Sequence, residues 1–432
     1  MLPELAIFGN KPRYPEGQPQ YNTIGVAEKR AVSEVLAGGE LSGFVASASE
    51  NFWGGKNVRA LEDQFKARYN CAHALSFNSA TSALHAALWA VCLNPGDEVI
   101  VPPYTMSASA TTALMVGAVP IFADIEDEYF CLNHENLDAL VTERTKAVVV
   151  VNLFGHTANL QAIKTYCDSK SIIMIEDNSQ SPDAMSCGLY AGTVGHVGVF
   201  SFNRHKTIQA GEGGVAITNI ANFSDRMAFL RNHGEAVAET FGFSSVANTG
   251  GLNLRMTEME AAVALVQFDR LAGLNQQRID LAEYLSERIE NVPGLSRPKV
   301  RDNCTHVYYV YAMKFDVSVV GIPRDMFVEC LAAEGYRVRA GYVEPLYRNQ
   351  IYQKRIFMGS KGFPFNENSR NYDDCYSPDG FPVCERVQNN ELIIGDIVYP
   401  PLTLVDIDHF IEDCCKIADQ RDKVLSHLKH HD

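Results

Sequence analysis

The chain has 432 residues, 46% of them apolar and 21% charged, and a formal net charge of −15. That length exceeds one simple core and fits a larger and a smaller domain, while an acidic balance without a long basic run excludes nucleic acid as the main partner. No apolar run approaches the roughly 20 residues of a membrane span and the first residues lack the layout of a signal peptide, so a soluble cytoplasmic protein with no membrane partner is expected.

In chain order, residues 1–19 read as an N-terminal extension and 20–262 as the larger domain. A stretch of small and hydroxyl residues, 76–84 (SFNSATSAL), runs into the helical pattern ALHAALWAV. A strand at 99–101 follows the turn Asn94-Pro95-Gly96-Asp97, and further strands are read at 119–123, 147–153, 172–175, 197–202 and 215–218. These are continuous β-branched runs rather than alternating ones, as in strands covered on both faces. Helical segments at 105–116 and 160–170 separate them, so the pattern is that of a wound, mostly parallel α/β sheet. Residues 257–291 read as one long helix, opened by Thr257 and Glu260 in capping-box spacing, that links to a small α+β domain at 263–432. In that domain a strand at 307–315, a helix at 324–335 and a closing helix at 406–425 are expected. Residues 347–389, rich in Asn, Gly, Pro, Tyr and Phe, read as an irregular loop of the kind that binds substrate in enzymes.

Eleven cysteines are scattered without a C-x-x-C pair, so neither a zinc ribbon nor a thioredoxin motif is supported and no metal site is expected. They read as small buried hydrophobes. Four other segments carry chemistry. Lys206 closes FSFNRHK and leads into Gly211-Glu212-Gly213-Gly214; alone, such a lysine is a solvated surface charge. Asp177 ends the run IIMIED, at the edge where α/β sheets bind ligands, and either caps a helix or offers a carboxylate to a cationic ring nitrogen. Residues 76–84 place hydroxyls and free backbone N–H groups at a helix start, a phosphate cradle or simple capping. Asn253 and Arg255 precede a helix that they cap or from which they reach a phosphate.

Together, and in this order, these segments resemble the DegT/DnrJ/EryC1/StrS family of sugar aminotransferases, which depend on pyridoxal phosphate (PLP). The likeness runs from about residue 28 to 271, with a looser tail to 417. It also includes Val58-Arg59-Ala60-Leu61-Glu62, Pro95-Gly96-Asp97-Glu98-Val99, Val101-Pro102-Pro103-Tyr104-Thr105, Glu176-Asp177-Asn178-Ser179-Gln180 and Arg231-Asn232-His233-Gly234. The resemblance implies the PLP-dependent transferase fold type I, related to aspartate aminotransferase, and a homodimer with active sites at its interface. It implies that Lys206 carries the cofactor, that Asp177 pairs with the pyridine nitrogen and that Gln180 meets the phenolic-oxygen side of the ring. Ala80 and Thr81, helped by Ser201, would hold the phosphate, and Asn253 or Arg255 would reach it from the neighbouring subunit. Members usually carry an aromatic residue directly after the threonine of the Pro-x-x-Thr segment, stacked on the ring. Here that position is Met106, so either its thioether covers the ring face or Tyr104 takes the place.

The resemblance further implies ping-pong transfer of an amino group from glutamate or glutamine to a keto sugar on a nucleotide, or to a keto-cyclitol. Arg337, Arg339 and Arg348 are candidates for a diphosphate. Arg204 and His205 are expected to lower the pKa of Lys206. A PLP-dependent sugar dehydratase of the same fold carries a histidine at the lysine position, which the neighbouring His205 brings to mind, but the count from Ser201 falls on Lys206. A non-catalytic sensor predicts loss of Lys206, Asp177 or the cradle, and all three are present. A dinucleotide-binding dehydrogenase lacks support because no G-x-G-x-x-G follows the first strand.

Overall fold

A computed structural model describes residues 4–428 apart from 244, 246 and 374. Residues 1–3 and 429–432, the outer ends of the expected extension and C-terminal domain, lie outside the described residues, as does position 374 within the expected loop.

The centre is a seven-stranded sheet of β1 (His73–Phe77), β2 (Glu98–Val101), β3 (Val119–Phe122), β4 (Thr145–Val151), β5 (Ile173–Asp177), β6 (Val197–Ser201) and β7 (Gly214–Thr218). Their spatial order is β1-β7-β6-β5-β4-β2-β3, and only β7 runs against its neighbours. The β-branched runs of β2 to β6 are buried almost throughout, which is why they read as uninterrupted apolar segments. β1, with the sequence HALSF, carries no β-branched residue and was not expected; its antiparallel pairing to β7 supplies what its composition does not.

A second antiparallel sheet, ordered β8-β9-β11-β10, contains β8 (Leu295–Ser296), β9 (Tyr311–Phe315), β10 (Val338–Ala340) and β11 (Leu392–Gly395). It has its own core, in which Leu281, Leu285, Phe315, Phe327, Leu331, Ile393 and Phe410 come together.

Four expectations need correction. The single helix expected at 257–291 is two, Glu258–Asp269 and Leu271–Ile289. Arg270 closes the first through its backbone N–H, and its guanidinium turns to Glu28 and the Thr23 carbonyl, contacts no local pattern reveals. The strand expected from 307 begins at 311, because Tyr308 takes a left-handed φ of 48° and Val307 bonds instead to the Gly155 carbonyl. The closing helix starts at Leu404, capped by Thr403 and Asp406, and breaks at Gln420 into Leu404–Asp419 and Arg421–Leu428.

The fourth correction concerns 347–389. Rather than an irregular loop, it folds as short helical turns around buried Tyr347, Tyr352, Phe365, Tyr372, Tyr376 and Phe381. Tyr347 and Phe381 stack with centroids 4.2 Å apart, and Tyr352 meets Phe122 of β3 edge-on at 5.0 Å. Tyr376 donates its hydroxyl to the Pro120 carbonyl at 2.8 Å, and the segment thus packs beside the edge strand of the central sheet.

Candidate active site

β5 delivers Asp177 to the carboxyl edge of the sheet, in register with Val151 on one side and Val199 on the other. Its carboxylate is buried and held twice: the Ser109 hydroxyl donates to Oδ2 at 3.2 Å, and the Ser179 N–H to Oδ1 at 3.0 Å. The preceding Glu176 points the other way and accepts from Gly192, Val194 and Gly195 N–H groups, which fixes the loop leading into β6.

β6 ends at Ser201, and the turn after it presents Lys206. The Lys206 ammonium sits 4.7 Å from the centroid of the Tyr309 ring. Burial pushes its pKa down from 10.5 to about 8, and Asp177 pulls it in the opposite direction. Arg204 and His205, the expected cause, contribute nothing resolved to Lys206; burial does the work. The influence runs the other way, since burial, then Lys206 and Arg204, lower the pKa of His205. Cofactor capture by the apoprotein, followed as growth of visible absorbance, should therefore accelerate as pH rises through about 8. Acceleration that begins only near pH 10 would show the amine to be unperturbed.

The cradle forms at the start of the helix Ala80–Ala90. Ser79 caps it by accepting from the Ser82 N–H at 3.1 Å, and the Ser82 hydroxyl donates to Asn78 at 2.6 Å. The N–H groups of Ala80 and Thr81 fall in the first turn, outside the helical ladder, and Thr81 is exposed. Gly214, paired with Ser201, approaches so closely that a Cβ would lie 2.6 Å from the Ala80 nitrogen. Gly214→Ala should thus push the helix start away and weaken PLP binding at least about tenfold, read by equilibrium dialysis; unchanged affinity would show that the cradle does not hold the phosphate.

The other expected residues occupy distinct places. Gln180 accepts the Phe154 N–H at 2.7 Å and donates to the Tyr342 hydroxyl at 2.8 Å. Tyr104 is fully buried and donates to Gln388 at 2.6 Å, whereas Met106 is 56% exposed. Arg255 is tied to Asn232 within its own chain, but Asn253 is exposed. Arg348 is engaged by Glu344 and Glu385.

A cavity of about 580 Å³ opens beside the lysine, with Tyr309 as a shared wall. Gln20, Tyr21 and Asn22 border it on one side and Arg204, Arg278, Arg337 and Arg339 on others; Asp396 is the one carboxylate in its lining. Among the described residues none of these four arginines lies in an ion pair. Arg278 is buried, sits 4.3 Å from the Tyr21 ring and donates to the carbonyls of Tyr308 and Tyr309, leaving Nε without a partner. Sequence reasoning missed Arg278, Tyr309 and Tyr342; the first lies mid-helix and the second in a run read only as strand. No group of His, Cys, Asp and Glu suited to a metal occurs among the described residues, and no described helix is long and apolar enough to cross a membrane.

A profile of the DegT/DnrJ/EryC1/StrS aminotransferase family matches residues 43–382. The spore coat polysaccharide biosynthesis protein SpsC of Bacillus subtilis is 30% identical, over 81% of this chain and 88% of its own length. The L-glutamine:2-deoxy-scyllo-inosose aminotransferase of Streptoalloteichus tenebrarius is 35% identical, over 76% of this chain and 78% of its own. The crystal structure of DesI in the presence of its TDP-sugar product aligns with a TM-score of 0.82 at 24% identity, covering 99% of both chains.

Proposed function

Because the chain belongs to the DegT/DnrJ/EryC1/StrS aminotransferase family and is thereby a PLP-dependent enzyme, we propose that it moves an amino group from glutamate or glutamine to an acceptor ketone on a sugar or cyclitol. The enclosed Lys206 amine, coupled to Asp177 and set against Tyr309, a wall of the arginine-lined cavity, carries this reading.

The residues fit the cofactor. Gly214 leaves the room that a phosphate cradle needs, Asp177 offers a fixed carboxylate, and Lys206 an amine of lowered basicity. Ala80, Thr81 and Ser201 would hold the phosphate, Asp177 the ring nitrogen and Lys206 the reactive carbon; bound there, PLP supplies an electron sink for the carbanion formed at the donor's α-carbon. Met106 is exposed enough to cover a ring face, while Tyr104 is committed to Gln388. Lys206, held beside Asp177 and Tyr309, would take the proton from the donor's α-carbon as general base and return it, as general acid, to the cofactor's reactive carbon. The same steps in reverse, with the acceptor ketone, complete a ping-pong cycle.

The cavity favours an acceptor that carries an anionic group. Four arginines against one carboxylate form a local cationic site in a chain of net charge −15. Arg348, spent on two glutamates, is set aside from the expected diphosphate contacts, leaving Arg337 and Arg339 with Arg204 and Arg278. The double variant Arg337→Ala/Arg339→Ala should raise the acceptor KM roughly tenfold or more, with the donor half-reaction unchanged. An unchanged acceptor KM would point to a neutral cyclitol instead.

The homodimer is part of the proposal. Val45 and Leu252 are exposed apolar residues: the Val45 carbonyl accepts from Asn232, Leu252 pairs with Leu230 and His233 on either side of it, and Asn232 is bridged to the exposed Asn253. Covering this patch with a second copy would bury it and bring the partner's phosphate contact; Asn253 fits that role better than Arg255, which is already engaged. The dehydratase reading fares less well, because Lys206 holds the position beside Asp177 and Tyr309 while His205 lines the cavity. Amino-acid-dependent formation of an amino sugar or aminocyclitol from a panel of phosphorylated and neutral ketones tests the whole proposal.

A further inference from the structure

Gln180 lies at the centre of a chain of hydrogen bonds whose directions are fixed by chemistry. A backbone N–H can only donate, so the Phe154 N–H at 2.7 Å forces the Gln180 carbonyl toward it. The Gln180 amide therefore faces Tyr342 and donates to its hydroxyl at 2.8 Å. The backbone N–H of Tyr342 in turn donates to both Gln388 Oε1 and the Tyr104 hydroxyl, each at 2.9 Å. That leaves the Tyr104 proton for Gln388 Oε1, at 2.6 Å. Each glutamine carbonyl is thus held in place by a backbone N–H that can only donate, and a flip of either side chain would set two donors against each other there.

Three features show that the arrangement is built. Phe154 adopts a φ of 60°, rare for a non-glycine residue, and its ring packs edge-on against Tyr342 at 5.0 Å. Gly341 has a φ of 66°, and a Cβ there would collide with the Gln388 side chain. Gln388 itself belongs to a five-residue π turn, Val387–Glu391, and its carbonyl is gripped by the buried Arg324 at 2.7 Å. π turns inserted in helices are frequent at functional sites. The outcome is a Tyr342 hydroxyl that accepts from Gln180 and keeps its own proton, with no acceptor for it among the described residues.

We propose that Tyr342 and Gln388 are positioning residues for Gln180, which fix its amide at the phenolic-oxygen side of the cofactor and tie that setting to the folded segment 347–389. The inference rests on the PLP reading above and goes beyond it. It gives a role at the cofactor to a segment whose aromatic core packs on the sheet edge. Its consequence is that changes in 347–389 reach the cofactor without touching it.

The test uses the PLP-loaded protein. Tyr342→Phe removes one oxygen, Gln388→Leu removes the acceptor, and Gln388→Glu restores one. PLP dissociation constants, the visible absorption maximum and thermal midpoints are measured for each. Tyr342→Phe and Gln388→Leu should each weaken PLP binding about fivefold to tenfold and displace the absorption maximum in the same direction. Gln388→Glu should return both toward wild type, and the double variant should be no worse than the worse single one. Wild-type affinity and absorption in Tyr342→Phe would overturn the relay, as would additive effects in the double variant. A wild-type protein that takes up no PLP would instead overturn the functional reading itself, so the two failures are distinct.

Discussion

Lys206→Ala should bind PLP reversibly and yet transaminate roughly 10⁴-fold more slowly than the wild-type enzyme. The proposal puts two roles on this one amine, attachment of the cofactor and movement of the α-proton, and both need its neutral form. Burial favours that form by pushing the pKa down to about 8, and the amine nitrogen lies 4.7 Å from the centroid of the Tyr309 ring. Removing the side chain leaves Asp177 and the cradle untouched, so affinity for the phosphate persists while the proton has no carrier. A single-turnover half-reaction with glutamate or glutamine reads the loss. Turnover within tenfold of wild type would contradict the role, because no lysine is among the residues that line the neighbouring cavity and could take over.

Asp177→Asn is the second large effect, about a 10³-fold fall in kcat with little change in the donor KM. The substitution keeps the size of the side chain and its acceptor oxygen toward Ser109 or Ser179, so the fold should hold. What it removes is negative charge in a buried place, and with it the means of keeping a ring nitrogen protonated. The Lys206 amine also loses the one group that raises its pKa, so its apparent pKa should drop below about 8. Ser109→Ala, which takes away a single hydrogen bond to the carboxylate, should cost only about tenfold. An Asp177→Asn enzyme with near-normal kcat would mean that the ring nitrogen does not need a carboxylate here.

The sheet was legible where strands are buried on both faces. Runs such as AVVVV in β4 have no other stable place than between two layers of helices. β1 escaped notice because HALSF lacks that signature, and the reversed direction of β7 has no local signal at all. Breaks imposed from a distance were equally silent. Arg270 ends a helix because Glu28, far away in sequence, receives its guanidinium. The segment 347–389 reads as a loop since its helical turns are short and its apolar residues follow no period; only packing against Phe122 shows them to be a core.

Of the residues on which the proposal rests, those whose neighbours in sequence form motifs were legible: Lys206 before its glycines, Asp177 at a strand end, Ala80 and Thr81 at a helix start. Arg278, Tyr309 and Tyr342 were not: Arg278 lies on a helix whose pattern explains it, Tyr309 falls in a run read only as strand, and Tyr342 follows a short strand in a bend without a motif. Their contribution appears only when the second sheet and its helices are laid beside the first.

The central claim is that Lys206 carries the cofactor, and borohydride reduction followed by peptide mass spectrometry tests it most directly. The reduced holoenzyme should lose its visible band and yield one peptide bearing a phosphopyridoxyl group, on Lys206. A modification on another lysine, or none on a protein saturated with PLP, would contradict the account.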